Sequence, residues 1–115
     1  MRKKEKITEN YLEKIPSRNP SIEWTVDDEG SVTLNIPNSG IFNKLAQKLF
    51  EKPPVTYVHL DAHGSFVWQL ADGNRDIISL GEDVKAKFGE AAEPLYPRLA
   101  KYFQILDSYG FIEWK

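Results

Sequence analysis

An α+β fold, with a small antiparallel three-stranded sheet followed by three helices and a short C-terminal strand, is predicted by three features of this sequence. Two early segments alternate apolar and polar residues with the period of a strand. A third, Val55 to Leu60, is β-branched and aromatic, and from Asp61 onward the apolar spacing becomes helical. That order is the order of a winged helix-turn-helix variant that begins with its sheet. With 115 residues the chain is one domain's worth, able to bury roughly two-thirds of its unfolded surface without metal or disulfide.

In the first strand pair, Ile22, Trp24 and Val26 alternate with Glu23, Thr25 and Asp27, and Val32, Leu34 and Ile36 alternate with Ser31, Thr33 and Asn35. The turn between them, Asp27 to Ser31, contains Gly30, so the pair reads as a hairpin with one dry face. Before it, Asn10 to Pro16 reads as a short helical turn laying Tyr11, Leu12 and Ile15 on the domain, stopped by Pro16 and a loop from Ser17 to Pro20. The lysine-rich start, residues 1–6, reads as a solvated tail. After the hairpin, Asn38 or Ser39 can cap a helix with Ile41, Phe42, Leu45, Leu49 and Phe50 at helical spacing, which Pro53 and Pro54 end.

The third strand is apolar on both alternating sets, Val55 and Tyr57 on one and Thr56, Val58 and Leu60 on the other, which predicts cover on both faces. Asp61 can cap the helix that follows, with Phe66, Val67 and Leu70 as its stripe and Asp72-Gly73 as its end. Gly64, which costs that helix about 1 kcal/mol relative to alanine, marks either a close approach by another backbone or a tolerated defect. Asp76 can cap the next helix, where Ile77, Leu80, Val84 and Phe88 recur at helical spacing before Gly89. Pro94 fits the first position of the last helix, whose arc gathers Leu95, Tyr96, Leu99, Tyr102, Phe103, Leu106 and Tyr109. Gly110 can end it, leaving Phe111 to Trp114 for a closing strand.

Composition narrows the chemistry. With 41% hydrophobic and 28% charged residues the chain is of ordinary globular type. No apolar run approaches the roughly 20 residues of a membrane span, and none of signal-peptide type follows the basic start, so a cytoplasmic address without membrane contact is expected. There is no cysteine, which excludes disulfides, thiol nucleophiles and thiolate-held metal or iron–sulfur centres. His59 and His63 are the two histidines, spaced i and i+4, but one falls in the strand and the other after the Asp61 cap, so they do not share a helix face as a metal pair would. Ser65 is not part of a G-x-S-x-G elbow. The acid pairs Asp27/Asp28 and Asp72/Asp76 sit in turns and caps. No catalytic residue, no metal and no cofactor is expected.

The last two helices have the spacing of a helix-turn-helix, which raises a DNA-binding regulator as the alternative function. Against it, Glu90 and Glu93 occupy the start of the second helix, and residues 7–115 hold 11 basic against 16 acidic side chains, opposing the counterion release on which nucleic-acid affinity depends. Nucleic acid is therefore not the expected partner. A peptide-binding reading uses the sheet edge instead. An open edge on Val55 to Leu60 beside the last helix can pair with an extended peptide, with Ile105, flanked by Arg98 and Lys101, as an apolar contact. A handful of added hydrogen bonds at about 1 kcal/mol each plus a few buried side chains would reach about −8 kcal/mol, a micromolar complex.

The residues that carry this site also carry a resemblance. Val58-x-Leu60-Asp61, Gly64-x-Phe66-x-Trp68-x-Leu70-x-Asp72-Gly73, an isoleucine-led helix to Phe88-Gly89, and Leu99, Phe103 and Leu106 before Gly110-Phe111-Ile112 together resemble the PqqD family over about residues 55–112. Those are small peptide chaperones named for pyrroloquinoline quinone biosynthesis. The resemblance implies a tail and helical turn over residues 1–20 and a PqqD-like winged-helix domain over 21–115. It also implies a partner pair, the leader of a ribosomally made precursor peptide and a radical S-adenosylmethionine enzyme. The family binds its leader as an added strand between the third strand and the third helix, which places the groove here on Val55, Tyr57, Val58, His59, Leu60, Arg98, Tyr102 and Ile105. The lysine-rich start and the Ile41 to Phe50 helix exceed the family's minimal pattern.

Overall fold

The structure, a computed structural model, describes residues 9–37 and 55–115. The basic tail and the helix expected over Ile41 to Phe50, with its proline stop, lie outside the described residues. The elements are α1 (Glu9–Leu12), β1 (Pro16–Arg18), β2 (Glu23–Val26), β3 (Val32–Pro37), β4 (Val55–His59), α2 (Ala62–Leu70), α3 (Ile77–Phe88), a 3₁₀ turn (Gly89–Ala92), α4 (Leu95–Ser108) and β5 (Ile112–Trp114). This is the α+β layout that the apolar periodicities predict.

The hairpin forms as its alternation requires. β2 and β3 pair antiparallel with Trp24 opposite Leu34 and Val26 opposite Val32. Asp27 sets the turn by accepting the backbone N–H groups of Glu29 and Ser31, both at 2.9 Å, and Gly30 takes the positive φ of 86° that closes it. β4 adds to the other side of β3, with Leu34 opposite Val58 and Asn35 opposite Tyr57. Val32 and Leu34 are buried, and Trp24, Ile36, Val58 and Leu60 pack on them to make the dry face.

Cover on both faces of β4 is expected, but among the described residues only one face is packed against the core. Val55 and Tyr57 stand on the opposite face, 39% and 61% exposed. On this face they are joined by His59 of β4 and, across the ladder, by Thr33, Asn35 and Pro37 of β3. A face so polar gains little from burial, so the sheet is dry on one side and wet on the other.

The N-terminal segment departs from the loop expected over Ser17 to Pro20. Pro16–Arg18 forms β1, paired antiparallel with β5 through Ser17 opposite Glu113. On its other side the strand meets the turn after α2, where the Gly73 N–H donates to the Pro16 carbonyl at 2.9 Å and the Arg18 N–H to the Ala71 carbonyl at 3.0 Å. Arg18 also donates through Nη1 to the carbonyls of Trp68 and Gln69, at 3.0 and 2.9 Å, capping the C-terminal end of α2. Three residues with a proline at their head show no alternation, so main-chain pairing rather than side-chain pattern defines this strand.

Helix starts follow the aspartates. The Asp61 carboxylate accepts the Gly64 N–H at 2.7 Å to cap α2, and Asp76 accepts the Ser79 N–H at 2.9 Å to cap α3. Pro94 lies one residue before α4 rather than inside it, and Glu93 accepts the Leu95 N–H at 3.2 Å. Trp68 and Phe103 are fully buried with Ile77, Leu80 and Leu34, so the core lies where α2, α3 and α4 meet the dry face of the sheet.

Two tyrosines of α4 clasp the other two helices, each lying over a glycine. Tyr96 covers Gly81 of α3, where a Cβ would stand 2.5 Å from its ring, and its hydroxyl donates to the Ile78 carbonyl at 3.3 Å. Tyr102 covers Gly64 of α2, where a Cβ would stand 3.3 Å from the ring, and its hydroxyl donates to the Gly64 carbonyl at 2.8 Å. The close approach expected at Gly64 is thus made by an aromatic ring and not by a backbone.

The Gly81 clasp yields a change of sign. In the wild-type chain Gly81→Ala should destabilise by about 1 kcal/mol, since overpacking against Tyr96 outweighs the gain in helix propensity. With Tyr96→Ala in the background, the same substitution should stabilise by about 0.5–1 kcal/mol. Urea denaturation of the four proteins measures both; destabilisation in both backgrounds would show that Tyr96 is not what excludes the methyl.

Candidate functional site

β4 forms the outer edge of the three-stranded sheet, whose order is β2-β3-β4. The ladder with β3 fixes which backbone groups look outward. The Leu60 N–H donates to the Val32 carbonyl at 2.9 Å, and by the two-residue alternation of an antiparallel pair Val58 and Thr56 also face β3. The amides and carbonyls of Val55, Tyr57 and His59 therefore point away from the sheet. Among the described residues no strand pairs with that edge.

Ser65 closes the ladder where the strand ends. Its buried hydroxyl accepts the Val32 N–H at 2.8 Å and donates to the Leu60 carbonyl at 3.1 Å, so one side chain ties β3, β4 and the first turn of α2 together. The serine that carries no catalytic motif in the sequence is a joint that holds the edge in place.

Beside the edge runs a groove of about 370 Å³ floored by Leu34, Val58, Leu60 and Leu106 and walled by His59, Tyr102, Ile105, Tyr109 and Phe111. It continues past the end of β4 into a cavity of about 490 Å³ between α2, α3 and α4, floored by Val67, Val84, Ala92, Leu95 and Leu99, with Arg98 and Lys101 at its rim. Asp61, Gly64, Tyr102 and Ile105 line both.

Of the eight residues expected at the site, Val58, His59, Leu60, Tyr102 and Ile105 come together in the groove, and Arg98 lies at the adjoining cavity. Val55 and Tyr57 line neither; their side chains stand on the wet face, while their backbone groups belong to the open edge. Ile105 is 45% exposed, which among buried neighbours leaves an apolar wall open to a ligand. Tyr109, expected on the buried arc of α4, is instead 68% exposed and stacks on Phe111, with ring centroids 5.4 Å apart. α4 stops at Ser108 and Gly110 turns with φ 76°, which rotates Tyr109 out of the core and onto the groove.

Several groove residues escaped the sequence reading. Tyr109 reads by spacing as part of the buried arc and Phe111 as the start of the closing strand, and Val84 and Ala92 meet the site through tertiary packing that no local spacing encodes. His59 Nδ1 lies 3.0 Å from Thr33 Oγ1, and His63, which lines the larger cavity, stacks on Phe88 with centroids 3.9 Å apart. Among the described residues no group of three potential metal ligands converges, and no helix is long and apolar enough to cross a membrane.

The Tyr102 phenol is the most perturbed group at the site. Burial raises its pKa well above the ordinary tyrosine value, and the nearby Asp61 carboxylate adds to the effect. Tyr96 is shifted in the same direction, first by burial and then by Glu82, Asp76 and Glu93.

The family model described as Coenzyme PQQ synthesis protein D (PqqD) matches residues 50–112, the segment that contains β4, all three long helices and the start of β5. No curated protein and no solved structure matches the chain.

A pH dependence follows from Tyr102. Below about pH 10 the folded and unfolded chains both carry the neutral phenol; above it the unfolded chain releases a proton that the folded chain retains, so stability falls as pH rises. The melting temperature should therefore drop more steeply above about pH 10 in the wild-type protein than in Tyr102→Phe. At neutral pH that variant should lose about 1 kcal/mol with its hydrogen bond to Gly64. Parallel pH profiles for the two proteins would contradict the assignment.

Proposed function

The chain belongs to the PqqD family, and on that premise we propose that it is a non-catalytic, cytoplasmic peptide-binding chaperone. It recognises the leader of a ribosomally made precursor peptide and presents that peptide to a radical S-adenosylmethionine maturase. The observation that carries this reading is the outward-facing backbone of Tyr57 and His59 on an edge strand beside an apolar groove. A guest chain laid along that edge gains main-chain hydrogen bonds from the strand. It places alternate side chains against Val58, Leu60, Tyr102 and Ile105, the mode known as β-augmentation.

The chemistry of the groove agrees with binding rather than catalysis. Its walls are aliphatic and aromatic, the Tyr102 hydroxyl is engaged by the Gly64 carbonyl, and Asp61 is engaged as a helix cap. A chain without cysteine has no thiolates for an iron–sulfur cluster, so radical chemistry on the guest belongs to a partner. The helix-turn-helix alternative finds no support at the start of α4, where Glu90 and Glu93 are exposed.

Proline separates edge pairing from simple apolar contact. Tyr57→Pro removes a donor that the β3 ladder does not use, so the fold should persist, as proline is tolerated on strand edges. A peptide leader that pairs with this edge, titrated by calorimetry, should bind the wild-type chain with a micromolar Kd and the variant about tenfold more weakly. Equal affinity for the two proteins would remove the edge from the account.

A further inference from the structure

The open edge ends at His59, but the apolar surface does not. The cavity of about 490 Å³ beyond it falls within the range of ligand pockets, about 300–1,000 Å³. It adjoins the groove through the Gly64–Tyr102 contact, since both residues line the two spaces. Its floor is aliphatic, with Val84, Ala92 and Leu99 all buried, whereas its rim is cationic. Arg98 and Lys101 are exposed there, and among the described residues neither pairs with a carboxylate, the one ion pair being Arg75 with Asp83. Arg98 Nη1 donates to the Ala91 carbonyl at 2.9 Å, a bond that fixes the side chain and leaves its charge uncompensated. The Asp61 carboxylate, which accepts the Gly64 N–H, lies at the same mouth, so two cations face one anion there. On a chain of net charge −2, a rim of this sign runs against the prevailing balance.

We propose that this cavity is a second subsite of the peptide groove. It takes one large apolar side chain of the guest, from a residue lying beyond the β-paired segment on the His59 side, and Arg98 and Lys101 select a carboxylate next to that anchor. The proposal rests on the peptide-groove reading above and adds what the guest must be: a chain whose strand-forming stretch is followed or preceded by an acidic residue beside a leucine, isoleucine or phenylalanine. Burying such a side chain is worth about tenfold or more in affinity. The exposed charges contribute less to affinity than to the choice of partner.

The test is a display library of random twelve-residue peptides selected on the full chain. Enriched sequences should pair an acidic residue with a large apolar one. They should bind the Arg98→Glu/Lys101→Glu variant about tenfold more weakly, and recover when the guest's acidic residue is changed to lysine. Lys101→Glu alone, at a side chain with no hydrogen bond or ion pair among the described residues, should show a smaller loss of the same sign. Ala92→Leu, which fills the cavity, should weaken anchor-bearing peptides about tenfold and leave peptides truncated before the anchor unchanged. Peptides that shift the Tyr57 and His59 amides but bind all these variants with wild-type affinity would overturn the subsite and leave the groove standing. A library that yields no binder, or only binders that leave those amides unmoved, would overturn the groove reading and the subsite with it.

Discussion

The packing of Tyr102 on Gly64 is the contact on which the rest of the site depends. The ring lies against α2 where a Cβ on Gly64 would stand 3.3 Å from it, and the hydroxyl reaches the Gly64 carbonyl at 2.8 Å. That single contact fixes the distance of α4 from the start of α2, and so from the end of β4. The Tyr96–Gly81 contact repeats the device one helix over, so α4 is held at both ends of its buried face. Glycine in a helix interior gives up about 1 kcal/mol of propensity, and here that loss is exchanged for close helix packing.

Sheet and helices meet through a similarly small set of polar groups. Ser65 bonds to both Val32 and Leu60, Arg18 caps the carbonyls of α2, and the Asp61 carboxylate starts that helix. Each satisfies backbone groups left without a partner at a strand end or a helix end. The consequence is a rigid edge. A guest that pairs with β4 meets a strand already ordered, so less conformational entropy is lost on binding.

Much of this was legible in the sequence wherever local chemistry decides structure. Period-two alternation with Gly30 between the arms encodes the hairpin, and aspartates placed one residue before an apolar helical stripe encode the caps at Asp61 and Asp76. The groove residues Val58, Leu60, Tyr102 and Ile105 were legible through the edge argument and the family pattern together. What was hidden is set by partners distant in sequence. β1 has no alternation because its order comes from main-chain bonds to residues 71–73 and 112–114. The wet face of β4 was misread because valine and tyrosine look apolar until Thr33 and Asn35 are seen beside them. Tyr109 follows the helical stripe by spacing, yet it sits one residue past the helix end, where the Gly110 turn overrides periodicity.

The claim that a guest chain adds to the rim of β4 is tested most directly by amide hydrogen exchange at Tyr57 and His59. Both N–H groups face away from β3, so in the free protein they should exchange far faster than the ladder amides of Val58 and Leu60. On binding a leader peptide they should slow to rates comparable with those neighbours. Amides that are already protected in the free protein, or that stay fast in the complex, would contradict the account.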